Sequence, residues 1–553
     1  MLKHIITILI LILLLGSCSK KEAAVISKKP NILFIISDDH TTKALGVYGE
    51  RLATLNPTPS LDKLANEGMV FTNCFVNNSI CVPSKASILT GQYGQTNKIL
   101  APENTLSSDR QYLPMEMKKL GYETALIGHY DFTATPNFDY YNILAHTGNQ
   151  ESSFNPWLTE NSPKYSPGTD YMKRKQYKGH SSDVITDLAI DWLKHKRDPH
   201  KPFILFHQFK AAENNFDFAP RYKDYLDNSY VPEPASLYHN GNNGSIATRG
   251  KNDSLVHLIG TSLSGRNKGD LIWTRTPDTS PTASNTKVQS TDTFIDNEHR
   301  HQTYQAYTKN YLRYIKGIDD NVARLLLYLK EAGLDENTII IYTSDRGIML
   351  GEHDYIDTSW MYEESIRIPF FIKYPEKIKP GLKTDAIVNN TDFAPTIIEL
   401  AGGATPEYMQ GHSFKHILET GEEPKGWQQS TYYRNWTHMT PNHNNPAHFG
   451  IRTKKHKLIF FYGKDRTNGN NPKHQQHKDS SKNKTVANTP VAWELYDLKK
   501  DPEEMNNIYY NPEYKDIISD LKKQLIAKRK QLNEEDFETF PHIQKIIDQH
   551  WND

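Results

Sequence analysis

The feature that most constrains the fold is Asn31-Ile32-Leu33-Phe34-Ile35-Ile36, a continuous apolar run that stops abruptly at Ser37-Asp38-Asp39-His40. A short run apolar on both faces reads as a central parallel strand, covered on each side, with its polar C-terminal end left open. Similar runs recur at Thr124 to Ile127, Pro202 to Phe206 and Thr338 to Tyr342. Each follows a helix-like pattern, at Leu113 to Leu120, Ser182 to His195 and Tyr311 to Ala332 respectively. Alternation of this kind predicts a wound α/β domain whose ligands meet the strand C-termini. At 553 residues the chain exceeds one core, so a large sheet flanked by helices is expected over 30–425. A smaller α+β subdomain is expected over 426–553, carrying Phe449 to Arg452, Lys457 to Phe461 and a helix around Tyr514 to Asn533. Between Asn214 and Arg300 the pattern dissolves into Asn, Ser, Thr, Gly and Pro, read as an excursion across the active face. A second polar stretch, Asp465 to Pro490, interrupts the smaller unit, and no internal repeat is visible.

The N-terminus reads as a targeting device. Lys3 and His4 precede an apolar run from Ile5 to Leu15, interrupted only by Thr7, too short to span a bilayer as a helix but suited to a secretory signal. Leu15-Gly16-Ser17-Cys18 resembles a bacterial lipobox, which implies a signal peptide over 1–17, acylation of Cys18 and a polar tether over 18–29. The expected location is the outer membrane of a bacterium, facing the periplasm or the cell surface, with the lipid as the sole membrane contact. Lys plus Arg equals Asp plus Glu at 65 each, so no global field gathers nucleic acid, and any anion specificity must be local. Of the remaining cysteines, Cys74 and Cys81 are seven apart. Either they form a disulfide, or Cys74 is a buried small hydrophobe and Cys81 has a chemical fate.

Asp38 and Asp39 sit where consecutive side chains can splay around one cation, and Asp345 ends another apolar run in Thr343-Ser344-Asp345-Arg346-Gly347. An Asp pair alone is often a turn or helix cap, but three carboxylates at one sheet edge suit calcium or magnesium. Cys81-Val82-Pro83-Ser84-Lys85-Ala86-Ser87-Ile88-Leu89-Thr90-Gly91 then resembles the Cys-x-Pro-Ser-Arg-x-x-x-Leu-Thr-Gly pattern of the formylglycine-dependent sulfatases, within the alkaline phosphatase superfamily. The likeness extends to Gly121 to Gly128, to Ile341 to His353, to Trp360 to Arg367, and to Glu494 to Asn507. It implies an alkaline-phosphatase-like sheet, one bound calcium on Asp38, Asp39, Cys81 and Asp345, and a maturation enzyme that oxidises Cys81 to formylglycine. The hydrated aldehyde attacks sulfur, and its second hydroxyl then expels sulfate. The substrate class implied is a sulfated polysaccharide or its oligosaccharides.

The departures gather at working positions. Lys85 stands where the pattern has Arg, and His129-Tyr130-Asp131 where it has Lys-Trp-His, so the catalytic set becomes Cys81, Lys85, His129 and Asp131. In Lys210-Ala211-Ala212-Glu213-Asn214 a substrate-binding His gives way to Glu213, leaving Lys210, Glu213 and His353 as expected substrate contacts. Thr358 replaces a Lys, and Arg346 replaces the Asn or Gln after the metal-binding Asp. A carboxylate about 4 Å from a bound anion opposes it by roughly 4 kcal/mol at an effective dielectric near 20, so Asp131 and Glu213 are expected to hinder sulfate binding. Arg346 either pairs with Asp38, Asp39 and Asp345 in place of calcium, or points away and leaves calcium on fewer ligands. Beside hydrolysis, these changes fit a degenerate relative that binds a glycan without cleaving it. A phosphatase on the same fold is less well supported, because no second metal motif is visible.

Overall fold

A computed structural model describes residues 29–144, 153–161, 174–213, 215–238, 243–251, 254–255, 258–264, 297–440, 443–466, 488–534 and 536–553. Cys18 and the leader, a large part of the 214–300 excursion, chiefly 265–296, and residues 467–487 lie outside them. Among the described residues no helix is long and apolar enough to cross a membrane.

The apolar run at the start forms β1 (Asn31–Ser37), at the centre of a ten-stranded sheet. In chain order its companions are β2 (Met69–Phe71), β3 (Glu123–Gly128), β4 (Tyr140–Leu144), β5 (Trp157–Glu160), β6 (Arg174–Gln176), β7 (Phe203–Gln208), β8 (Thr338–Ser344), β9 (Phe370–Lys373) and β10 (Leu382–Thr384). Across the sheet they lie β10-β2-β9-β8-β1-β7-β3-β4-β5-β6. The five strands from β8 to β4 are mutually parallel, as expected for runs buried on both faces. The sheet is mixed at its flanks, where β9, β5 and β6 run antiparallel to their inner neighbours.

Period-two alternation divides β1 between two cores. Ile32, Phe34 and Ile36 join one with α1 (Cys81–Thr90) and α2 (Tyr112–Lys119), while Leu33 and Ile35 join the other with α3 (Ser181–Asp191) and α4 (Asn297–Glu331). Helix α4 starts well before the expected Tyr311, because its first turns carry mostly polar residues that hide the apolar period. The smaller unit is a four-stranded antiparallel sheet of β11 (Ser430–Asn435), β12 (His448–Thr453), β13 (His456–Phe461) and β14 (Ala492–Asp497). Leu458 and Phe460 pack under α5 (Lys515–Gln531) and α6 (Pro541–His550), the latter not expected from the sequence, whereas Ile459 and Phe461 pack against the large domain.

Register positions the site. Parallel pairing of Ser37 with Ser344, Ile36 with Gln208 and Gly128 with Gln208 ends β1, β8, β7 and β3 at one edge. Residues 38, 345, 129 and 210 therefore emerge side by side.

Candidate active site

Helix α1 presents the segment that resembles the nucleophile motif as a rigid face, with Cys81 and Lys85 one turn apart on the same side.

 Ser84 fixes that helix to the sheet edge: its Oγ donates to the carbonyl of Asp345 and accepts from Asn390 Nδ2 at 2.9 Å, while Asn77 Nδ2 donates to Asn390 Oδ1 at 2.9 Å. Both Cys74 and Cys81 are free thiols, which excludes the disulfide; Cys74 is buried in the core, and Cys81 lies partly covered at the helix start. Gly128 allows the neighbouring approach. Its φ is 121°, and a Cβ there would lie 1.9 Å from the Gln208 carbonyl oxygen, which instead accepts from His129 N at 2.8 Å. The loop after β7 is tied in by Asp38 N donating to the Ala211 carbonyl at 2.9 Å and Ala212 N to the Asp38 carbonyl at 2.7 Å.

The four carboxylates at this edge are matched by basic side chains. Arg346 Nη1 lies 2.9 Å from Asp38 Oδ1 and 2.8 Å from Asp345 Oδ2, while its Nε lies 2.6 Å from Asp39 Oδ1 and its Nη2 3.1 Å from Asp39 Oδ2. Asp39 adopts a left-handed backbone, φ 51°, and its carbonyl accepts from Tyr311 Oη at 2.9 Å. Lys85 Nζ lies 2.8 Å from Asp38 Oδ2 and 3.5 Å from Asp345 Oδ2, and also pairs with Asp131. His129 closes the chain, with Nδ1 2.9 Å from Asp38 Oδ2 and Nε2 3.1 Å from Asp131 Oδ1.

These pairings revise the electrostatic expectation. Asp131 was expected to oppose a bound anion as a bare charge, but Lys85 neutralises it from inside the site, His129 Nε2 meets it at 3.1 Å, and Glu213 pairs with Lys210 at 2.9 Å. Burial raises the pKa of a carboxyl and neighbouring cations lower it, so the balance differs along the cluster. Asp38 is buried, yet Lys85, Arg346 and His129 hold it well below the usual carboxylate range. Asp131 is lowered in the same way, burial being outweighed by His129 and Lys85. At Asp345 burial prevails over Arg346, and the group is pushed up to about 7. Burial also raises the Cys81 thiol against the pull of Arg346, so an unmodified thiolate is disfavoured as nucleophile.

His353 is not brought to the cluster. It is fully buried and stacked on Tyr362 with ring centroids 4.6 Å apart, and burial lowers its pKa to about 3, so the expected substrate contact is replaced by a packing role. Thr358 N donates to Asp357 Oδ1 at 3.0 Å, and the same carboxylate holds His443 Nδ1 at 3.0 Å. The His443–Asp357 pair was not anticipated. His443 lies in a polar loop with no periodicity or motif to single it out, and only folding brings it to Asp357.

The family model described as Sulfatase matches residues 30–404. The chain belongs to the sulfatase family. A second model, described as N-sulphoglucosamine sulphohydrolase, C-terminal, matches 351–470 and 477–531 of this sulfatase. The N-acetylglucosamine-6-O-sulfatase of Bacteroides thetaiotaomicron is 34% identical over 94% of this chain and 90% of its own length. An arylsulfatase of Clostridium perfringens is 26% identical over 90% and 94%. A solved structure described as a complex with its substrate D-glucosamine-2-N,6-O-disulfate superposes with a TM-score of 0.75 at 32% identity, covering 92% of this chain and 99% of that one. Sulfuric ester hydrolysis is the activity that goes with this membership.

Calcium and formylglycine are typical of sulfatases, and the residues here suit them unequally. Cys81 fits the modified residue, since it opens α1 within the field of Arg346, Lys85, Asp131 and Asp38. Asp38, Asp39 and Asp345 offer oxygens within 4.8 Å of one another, a donor set suited to a hard cation. Arg346 nevertheless takes the centre of that set. A divalent ion 4 Å from its guanidinium would be repelled by about 8 kcal/mol at an effective dielectric near 20. In this pose Arg346 occupies the position between the three carboxylates that a divalent ion would take.

Proposed function

We propose that this sulfatase hydrolyses a sulfate ester on a glycosaminoglycan-type carbohydrate, with the 6-O-sulfate of a glucosamine residue as the first candidate. The observation that carries the reading is the placement of Cys81 and Lys85 on one helix face against Asp38, Asp345 and Arg346 at the sheet edge. Conversion of Cys81 to formylglycine by a maturation enzyme would supply a covalent nucleophile that a raised, buried thiol does not. Lys85 and Arg346 supply positive charge beside that position, the form of help a sulfuryl group needs as charge develops on its oxygens. His129, held between Asp38 and Asp131, is oriented to exchange a proton at its ring nitrogens. Lys210 and Glu213, on the loop tied to Asp38, are proposed to meet the sugar. The likeness to the N-acetylglucosamine-6-O-sulfatase and to the disulfate complex supports the choice of sugar.

The test is mass spectrometry of the Cys81 peptide from protein coexpressed with a maturation enzyme, followed by turnover of D-glucosamine-2-N,6-O-disulfate and N-acetylglucosamine-6-sulfate. The expected result is a converted Cys81 and sulfate release that Cys81→Ala abolishes. A thiol that stays unmodified in the native host would remove the mechanism. Full conversion without turnover would favour a second reading, a glycan-binding protein that does not cleave. That reading has its own support, because Lys85, His129 and Arg346 are each committed to carboxylates.

Export and lipid attachment through Cys18 belong to the same proposal, on the strength of the leader and its Leu-Gly-Ser-Cys segment. Labelling with a radioactive fatty acid is expected to mark the native protein and to leave Cys18→Ser unmarked.

A further inference from the structure

The carboxylate cradle at the ends of β1 and β8 is an unusual place for a guanidinium, because Asp38, Asp39 and Asp345 are all fully or almost fully buried and Arg346 itself is only 5% exposed. Its fork meets the cradle on two sides. Nε and Nη2 face the two oxygens of Asp39, and Nη1 lies between Asp38 and Asp345. Two of these contacts are hydrogen bonds, Nη1 to Asp345 Oδ2 and Nη2 to Asp39 Oδ2; the others are close charge contacts without hydrogen-bond geometry. The backbone leaves it little freedom to withdraw. Ser344 Oγ donates to the Arg346 carbonyl at 2.7 Å, and at Gly347 a Cβ would lie 2.1 Å from the Glu364 carbonyl oxygen, so the segment is seated against its neighbours.

We propose that Arg346 is a built-in replacement for the divalent cation of this cradle, so that the site holds its acids together and presents positive charge to a sulfate ester without calcium. The guanidinium offsets the charge of three carboxylates that would otherwise be buried and mutually repelling, hydrogen-bonding Asp39 and Asp345 directly, and it cannot be lost to chelators. Lys85 completes the arrangement by reaching the other oxygen of Asp38 and the same oxygen of Asp345. The cost to function is charge: a guanidinium contributes one positive unit where a divalent ion contributes two. The inference rests on reading the cradle as the sulfate site, but its test needs no turnover, so failure to cleave any ester would bear only on the proposed activity.

Metal analysis and melting temperature provide the test, using full-length mature protein dialysed against EDTA and then supplied with millimolar calcium. The wild type is expected to carry no tightly held calcium and to melt at the same temperature in both conditions. Arg346→Asn opens the cradle, and the variant is expected to bind one calcium per chain and to gain about 3–6 °C in Tm on adding it. Magnesium, which demands a tighter octahedral shell, is expected to give a smaller rise. One tightly bound calcium in the wild type overturns the proposal. So does a folded Arg346→Asn protein, verified by circular dichroism, that takes up none. If the variant folds only when calcium is present, that dependence is itself the expected gain, and the wild-type metal content remains an independent check.

Discussion

Lys85 shows how one residue can hold several others in place. Its ammonium is 4% exposed and lies among Asp38, Asp131 and Asp345; burial works against its charge, but those acids raise its pKa well above normal and keep it protonated. Removing one partner of a buried ion pair leaves the others uncompensated, at about 3–5 kcal/mol. Lys85→Met is accordingly expected to lower stability by about that amount in urea unfolding. Lys85→Arg, which keeps the charge, is expected to lose less than half as much. An equal loss in the two variants would mean that shape rather than charge governs the position. From sequence alone Lys85 looked like a weakened Arg. Its coupling to Asp131 and His129 became visible only when the ends of β1 and β3 were brought together through β7.

At the scale of elements, the close passage of β3 and β7 depends on Gly128. An alanine there must accept a φ of 121° and a Cβ 1.9 Å from the Gln208 oxygen, so Gly128→Ala is expected to cost about 2 kcal/mol or more and to displace His129. Urea unfolding measures the first effect, and loss of sulfate release in a still-folded variant measures the second. The central strands were legible because burial on both faces writes a continuous apolar run, and the acids that end them marked the open edge. Edge strands β5 and β6 left no such mark: exposed Trp157 and the Arg174-Lys175-Gln176 segment follow neither period. Helix α6 was missed because its apolar face, Ile543 and Ile547, is too short to stand out from a charged C-terminus. The cradle acids were legible as residues, and Arg346 as a candidate partner for them. His443 and Asn390 were not, since each reaches its partner from distant chain.

At the scale of the whole molecule, a second buried charge network joins the smaller sheet to the large domain. Lys457 on β13 pairs with Glu363 at 3.0 Å and Glu504 at 2.7 Å, and Arg452 on β12 with Glu363 at 3.1 Å. Burial raises Glu504 to about 8 against the pull of Lys457, with Glu363 and Glu364 adding to the rise. A folded-state pKa above the unfolded value means that the folded protein binds the proton more tightly. This contribution is therefore complete below about pH 4.5 and is lost as pH rises through about 8. Between those limits the wild type is expected to lose stability that Glu504→Gln retains. Tm against pH for the two proteins checks this, and parallel curves would refute it. Sequence distance has a different consequence at the sheet edge. Ser84 on the nucleophile helix and Asp345 at the end of β8 are 261 residues apart, yet hydrogen-bonded. At about 5–20 residues per second, roughly 13–50 s of synthesis separate the emergence of the two. During that interval Cys81 has no cradle to enter, so under the proposed function the length of chain between the two halves of the site sets the time in which a modifying enzyme can reach it.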